Sequence, residues 1–298
     1  MQILNDINIK EYSQQKLTRE ELSQKNLLLS LSIFQDELKY AIIDLENNNV
    51  YSTALYSSAS KKFTENELMF LLNDFIHRYH LQNVFKQIHI IYSSPHFTLC
   101  PAEFYISEKK HLLLQFAHPI KPDEQILSGS FENIKVIYSI PQNLYNGLLQ
   151  TFPSAKILHS SIAMMDLFFY HPLLIHSSFW IHIHPNYIEV MAKQNRTLLF
   201  YNMFDIQTAS DILYYALFSL EQLKLLPKDT DVFISGNISL QHTIFQLLQK
   251  YVHSVQVLHH HPKLHILPVN SDLISHHHFI TMNHHLCVSY QENTKAEN

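Results

Sequence analysis

Two places in the sequence carry residue types that could do chemistry. The run "DVFISGNIS", from Asp231 to Ser239, reads as a short apolar strand entering a glycine turn and then a helix. Many nucleotide-binding folds hold phosphate or adenosine at such a turn. Glycine takes positive φ without steric penalty, and backbone N–H groups at a helix start attract anions. Ser235, Gly236 and Asn237 are therefore the candidate cofactor-binding residues. His182 and His184 alternate along the strand-like run "FWIHIHP", so both imidazoles point to one face. Two neutral imidazoles at that spacing could share a zinc ion, but a site needs a third ligand and supporting groups behind the histidines. The sequence designates neither, so His182 and His184 are weak metal candidates and no metal is expected.

Other reaction chemistry is not signalled. There is no G-x-S-x-G elbow. Asp166, Asp205, Asp211 and Glu221 are better explained as helix-terminal or surface groups than as paired acid–base carboxylates. No catalytic residue is expected. Cys100 and Cys287 stand far apart in no paired motif, which excludes a disulfide framework and a four-thiolate zinc site and leaves two reduced, semi-buried thiols. The bunched histidines His259–His261, His276–His278, His284 and His285 read as exposed positions.

Composition narrows the classes further. Apolar residues make up 46 % of the 298, enough for a large core, and the net charge of −5 gives no basic surface for nucleic acid. No run approaches the ~20 apolar residues of a spanning helix, and "MQILNDINIKEYSQQ" lacks the pattern of a signal peptide. A cytoplasmic protein without membrane insertion is expected. Glycine occurs only three times, at 129, 147 and 236. Average usage of about 7 % would give roughly twenty. The chain contains neither G-x-G-x-x-G nor G-x-x-x-x-G-K-[ST], so it has few places to build a phosphate cradle.

The elements that must position these residues repeat. After a polar lead-in, "LLLSLSIFQDELKYAIIDLENNNVYSTALY" reads as a three-strand antiparallel meander. "FTENELMFLLNDFIHRYHL" is a helix with a Thr64/Glu67 capping box and Leu68, Leu71, Leu72, Phe75 and Ile76 on one buried face. "KQIHIIYSS" is a strand, "LLLQFAHP" a short strand, "NIKVIYSIP" a strand, "QNLYNGLLQTF" a helix, "SAKILHS" a strand and "SIAMMDLFFYH" a helix. At an offset of ~150 residues, the size of a domain, the order begins again. "SSFWIHIHPNYIEVMAKQNRTLLFYNMF" is a second meander, and "TASDILYYALFSLEQLKLL" is a helix capped by Thr208 and Asp211. "DTDVFISG" is a strand, "SLQHTIFQLLQKYV" a helix and "SVQVLH" a strand. The aromatics of "FFYH" and "ILYYALF" are expected to pack inside.

This order, twice in one chain, resembles the actin-like ATPase fold. The phrases "HIIYSSPHFTLCPAEFY", "VIYSIPQNLYNGLLQTFPSAKILHS", "LLFYNMFDIQTASDILYYALFSLEQLKL" and "VFISGNIS" resemble a bacterial family of unknown function, mostly from Bacteroidota, with that duplicated fold. The family is similar in turn to the actin-like assembly proteins of pili and type II secretion, which serve as platforms for partners. The resemblance implies an α/β fold of two ribonuclease-H-like subdomains, each with a mixed sheet of a three-strand antiparallel meander plus parallel strands, flanked by helices. The expected division is a lead-in at 1–26, a first subdomain at 27–175 and a second at 176–298 with a His-rich tail.

It also implies where a nucleotide site would be. Active relatives place an aspartate at the end of the first strand of each meander and glycine in the turn, to hold hydrated Mg²⁺ and phosphate. Here Ser32 stands near the first aspartate position, with Phe34 and Gln35 near the glycines and Asp36 in the turn itself. In the second meander His182 or His184 replaces the acid, and Pro185 and Asn186 replace the glycines. Side chains in a left-handed turn cost on the order of 1–2 kcal/mol each. Neither turn has a lysine or arginine for a triphosphate; Lys39 follows the first by two positions. The expectation is a degenerate site without hydrolysis, no cofactor, and a protein partner of unknown identity. The alternative keeps weak ATP and Mg²⁺ binding at Gly236.

Overall fold

The computed structural model describes residues 7–13, 20, 23–58, 62–78, 85–174, 179–238, 241–266 and 276–286. Cys287, Ser239 and much of the polar lead-in lie outside these residues. The chain divides into two compact units, Met1–Asp166 with Pro262–Leu273 and Ile280–Asn298, and Leu167–His261 with Ile274–Phe279. No helix among the described residues is long and apolar enough to cross a membrane.

In the first unit the meander is β2 (Leu27–Ile33), β3 (Glu37–Asp44) and β4 (Asn49–Ser58). They pair antiparallel, and β2 then pairs in parallel with β5 (Gln87–Tyr92), and β5 with β9 (Lys156–His159). Within the lead-in, β1 (Ile7–Ser13) adds an antiparallel edge to β4. Alternation along β2 decides the faces. Leu29, Leu31 and Ile33 enter a core with Leu71, Leu72 and Phe75 of helix α1 (Glu65–Arg78) and Leu144 and Leu148 of α3 (Gln142–Thr151). The capping box holds the start of α1: Thr64 N–H donates to Glu67 Oε2 at 2.8 Å, and Glu67 N–H to Thr64 Oγ1 at 3.3 Å.

A separate antiparallel sheet of β6 (Phe97–Pro101), β8 (Ile134–Pro141) and β7 (Glu124–Phe131) is inserted between β5 and β9. Helix α2 (Lys110–Ala117) lies against it. "LLLQFAHP", expected as a strand, is therefore largely helix. Three leucines in a row carry no clear period, and Leu114 alone of them is fully buried, beside Cys100 and Ile137.

The second unit repeats the meander with β10 (Phe179–Ile183), β11 (Tyr187–Gln194) and β12 (Thr197–Asp205). β13 (Asp231–Gly236) and β14 (Ser254–Val257) follow in parallel. Phe179, Ile181 and Ile183 pack against α5 (Ala209–Gln222) and α6 (Gln241–Gln249). Helix α4 (Ser160–Tyr170) contains the boundary between the units. Phe168 and Phe169 are buried as expected. Tyr214 and Phe218 are exposed instead, because α5 turns Ile212, Ala216 and Leu220 to the core.

The C-terminal stretch departs from a simple tail on the second unit. β15 (His265–Ile266) pairs with β4, and Leu264 and Met282 pack on Leu28, Ala41 and Ile43 of the first unit. Helix α7 (Phe279–Asn283) and the turn His284–Leu286 follow. His261, His276–His278, His284 and His285 are buried, contrary to the exposed positions expected of them. A neutral imidazole can meet backbone carbonyls and hydroxyls with one nitrogen each way, so histidine is less costly to bury than its charge suggests.

Candidate functional site

The first meander turn is closed by its own backbone. Ile33 pairs with Leu38, and Phe34 N–H donates to Glu37 O at 2.8 Å, leaving Gln35 and Asp36 as a two-residue turn. The second turn has the same construction. Ile183 pairs with Ile188, His184 N–H donates to Tyr187 O at 2.9 Å, and Pro185 and Asn186 make the bend. No residue of either turn has positive φ; the non-glycine residues that do, among the described residues, are Asn48, Glu132, Asn195 and Lys224. The steric penalty expected for side chains in these turns does not arise. These are not glycine turns with the glycines replaced but a different turn class, since primed and type II turns need positive φ.

Side chains occupy the space beside each turn. Lys39, buried, pairs with Glu37 at 2.9 Å and lies 5.1 Å over the Phe34 ring. Lys39 is thus held within its own hairpin. In the second hairpin His184 stacks on Tyr187, with centroids 4.1 Å apart and 8° between planes. Its Nε2 lies 2.9 Å from Glu189 Oε1, and the other carboxylate oxygen accepts from the Tyr201 hydroxyl. Glu189 is fully buried and has a partner at each oxygen.

Ser32 and His182, near the positions where an acid would hold a metal, are also engaged. Ser32 Oγ accepts from Thr281 Oγ1 at 2.8 Å. Trp180 Nε1–H donates to Ser235 Oγ at 2.9 Å, and Ser235 Oγ lies 2.7 Å from His182 Nδ1. Indole can only donate, so the Ser235 proton is available for Nδ1. The rings of His182 and His184 are 4.7 Å apart at 71°. Each has one nitrogen committed, to Ser235 and to Glu189.

The third turn explains its glycine. Gly236 has φ +93°, and a Cβ there would lie 2.1 Å from Ile183 O and 2.8 Å from Ile183 N. Its N–H donates to His276 O at 2.8 Å, and its carbonyl accepts from His276 Nδ1 at 2.9 Å. Asn237 N–H donates to Ile183 O at 2.6 Å. Ser235, Gly236 and Asn237 are consecutive at this turn, and these groups are engaged by the chain itself. His276, forty residues away, is the partner that sequence reasoning missed; no local signal links the two.

Four other titratable groups with shifted pKa values, His89, His284, Lys193 and Asp211, are bonded within the chain. His89 Nδ1 lies 2.8 Å from His284 Nε2, and Ser30 Oγ donates to Thr281 O at 2.5 Å. Burial pushes both imidazoles down, His284 to about 3; repulsion from His284, His285 and Lys156 adds to it at His89, and from His285 at His284. Burial also lowers Lys193 to about 8; its ammonium donates to the carbonyls of Phe168 and Leu174 (2.9 Å to the latter) and lies 4.5 Å over the Phe168 ring. Asp211 sits below its usual range because Gln207 and Thr208 N–H groups donate to it, which makes it a cap.

A half-open cleft of about 150 Å³ lies where β2 and β5 end, lined by Phe34, Lys62, Phe63, Tyr92, Pro95 and Pro141 among others. Open α/β sheets place ligands at such strand ends, but small-molecule pockets run to ~300–1,000 Å³, and among the described residues Lys62 is the one cation lining this cleft.

A family model described as protein of unknown function (DUF3822) matches residues 14–255, and the chain belongs to that family. No protein of curated function is detectably similar in sequence. The fold is the actin-like ATPase fold. A Bacteroides thetaiotaomicron protein of actin-like ATPase fold and unknown function superposes with TM-score 0.64 at 21 % identity, over 78 % of this chain and 91 % of that one. A structure of the PilM–PilN type IV pilus biogenesis complex matches with TM-score 0.57 at 11 % identity, over 87 % and 97 %. The cytoplasmic domain of EpsL from Vibrio cholerae, an inner-membrane component of type II secretion, matches at 0.42 and 13 % identity, over 76 % and 93 %.

Proposed function

We propose that this member of the DUF3822 family is a non-catalytic, cytoplasmic actin-like protein that acts as a platform for a protein partner. One observation carries the reading. Each turn that would face a nucleotide has backbone groups engaged by its own chain: Phe34 with Glu37, His184 with Tyr187, Gly236 with His276, and Asn237 with Ile183. An N–H already bonded at 2.6–2.9 Å would have to break that bond to meet a phosphate oxygen. Pro185 has no N–H to offer. A fold kept without this chemistry is suited to presenting surfaces, and the similarity to a structure that is itself a pilus biogenesis complex supports the same reading.

The test is thermal unfolding of the intact chain with ATP, ADP and Mg²⁺. No shift is expected. A Mg²⁺-dependent rise of several degrees would overturn the platform reading, because a ligand that binds the folded state raises its stability. Gly236 favours the second reading, weak nucleotide binding without hydrolysis, since its positive φ stands at the turn expected to face adenosine.

A further inference from the structure

In the second unit β10, β13 and β14 run parallel, and Gly236 is the last residue of β13. Open α/β sheets bind ligands beyond such carboxyl ends. Backbone direction alternates along a strand. Asn237 N–H meets Ile183 O on β10, so the polar groups of Gly236 face the other way, toward the line of β14. β14 stops before reaching them: Val257 pairs with Ile234, and Leu258 N–H donates to Ile234 O at 2.8 Å. His276 takes the position beyond. Its carbonyl accepts from Gly236 N–H at 2.8 Å, and its Nδ1, 2.9 Å from Gly236 O, is the donor there, because a carbonyl can only accept. Two other imidazoles stand beside its buried ring, His277 with centroids 4.6 Å apart and exposed His259 at 6.1 Å. Three residues on, Phe279 packs its ring near Trp180 at 5.5 Å and His171 at 5.3 Å. The stretch His276–Phe279 is thus held by apolar packing at one end and by two hydrogen bonds to one glycine at the other.

A donor and an acceptor set against one backbone N–H and C=O, with aromatic rings alongside, are the contacts by which proteins read the edge of a nucleobase. Adenine carries such a pair, an amino donor beside a ring-nitrogen acceptor. His276 supplies the acceptor from its main chain and the donor from its ring. We propose that His276 is an internal stand-in for a nucleobase, and that His276–Phe279 is a strap closing a purine-nucleoside site at the carboxyl end of β13. Displacing the His276 end frees both polar groups of Gly236 and the space of one heterocycle beside His277 and His259. Phe279 can stay in place while this happens, since its ring packs elsewhere. The strap regulates the site of the second reading, and it rests on the platform reading in taking the intact chain as closed to nucleotide.

The test is calorimetric titration of adenosine into the full wild-type chain and into His276→Ala. The variant should bind roughly tenfold or more tightly than the wild type, because a strap that is mostly closed lowers apparent affinity by the fraction open. Free imidazole, the ring removed, should compete with adenosine in the variant. His276→Asn keeps a side-chain N–H donor and should stay closed. The wild type supplies a measurement that needs no substitution. Its Gly236 amide, bonded to the strap, should lose hydrogen-exchange protection before that of Leu258, bonded to β13. A folded His276→Ala chain that binds no adenosine overturns the strap and leaves the platform reading standing. Wild-type binding as tight as the variant's overturns both. A Gly236 amide protected as long as that of Leu258 means the strap does not open, and overturns the proposal as well.

Discussion

Gly236 shows how little of a residue's role its immediate neighbours in sequence need reveal. The strand-to-glycine transition is legible in "DVFISG", and the residue does take positive φ at the strand end. What fixes it is the approach of Ile183 from the adjacent strand, which leaves no room for a Cβ. Gly236→Ala should therefore destabilise the chain by about 3 kcal/mol or more, combining a left-handed alanine with a backbone clash. Urea unfolding measures it, and a loss under about 1 kcal/mol would mean the turn relaxes freely. Lys193 offers a second residue-scale prediction. Burial lowers its folded pKa to about 8, while the unfolded chain titrates near ~10.4. Between those values the unfolded state binds more protons, so stability should rise with pH across that window. Lys193→Met should lack that rise. The wild-type minus variant difference isolates it from half-buried Tyr92 and buried Tyr138, whose raised pKa values act in the opposite sense.

At the scale of elements, the legible features are those whose signals are local. The Thr64/Glu67 and Thr208/Asp211 capping boxes lie within single turns, and both form. The end of α5 was not legible, because its sequence violates the usual rule. Lys224 occupies the left-handed position after the helix, at φ 56°. Its N–H meets Glu221 O at 3.0 Å and Leu225 N–H meets Leu220 O at 2.9 Å, the pairing of a Schellman cap. Glycine normally stands there. Lys224→Gly should stabilise the chain by about 1 kcal/mol, the cost of a Cβ in left-handed backbone. Thr208→Ala at the other end should cost about 1 kcal/mol. Chemical denaturation of the two variants reads opposite shifts in midpoint at unchanged slope. β1 and α2 were missed for a related reason: "INIKEYS" looks like part of a polar lead-in, and "LLL" fits strand and helix alike.

At the scale of the whole chain, duplication is legible because each copy has its own meander and its own strand–helix–strand. The return of residues 262–266 and 280–286 to the first unit is not, because it rests on pairings more than two hundred residues apart. That return has a chemical signature in acid. His284 meets His89 on β5 at 2.8 Å and Ser30 on β2 at 3.3 Å, with His285 and Lys156 of β9 the further positive or titratable neighbours. One proton can bridge the two imidazoles; a second would set two N–H donors against each other in a dry site. Both folded pKa values lie below the ordinary ~6.5, so below that pH the unfolded state binds more protons and stability falls. The stabilisation should be complete above about pH 6.5 and decline as pH drops toward 4. The amides of residues 280–286 should lose hydrogen-exchange protection before those of β10–β14, since this segment holds the pair to the sheet. His284→Gln keeps a polar group without the titration and should flatten the acid limb. Equal acid loss in that variant, or uniform loss of protection across both units, would show that the His89–His284 contact does not govern how the C-terminal segment is held.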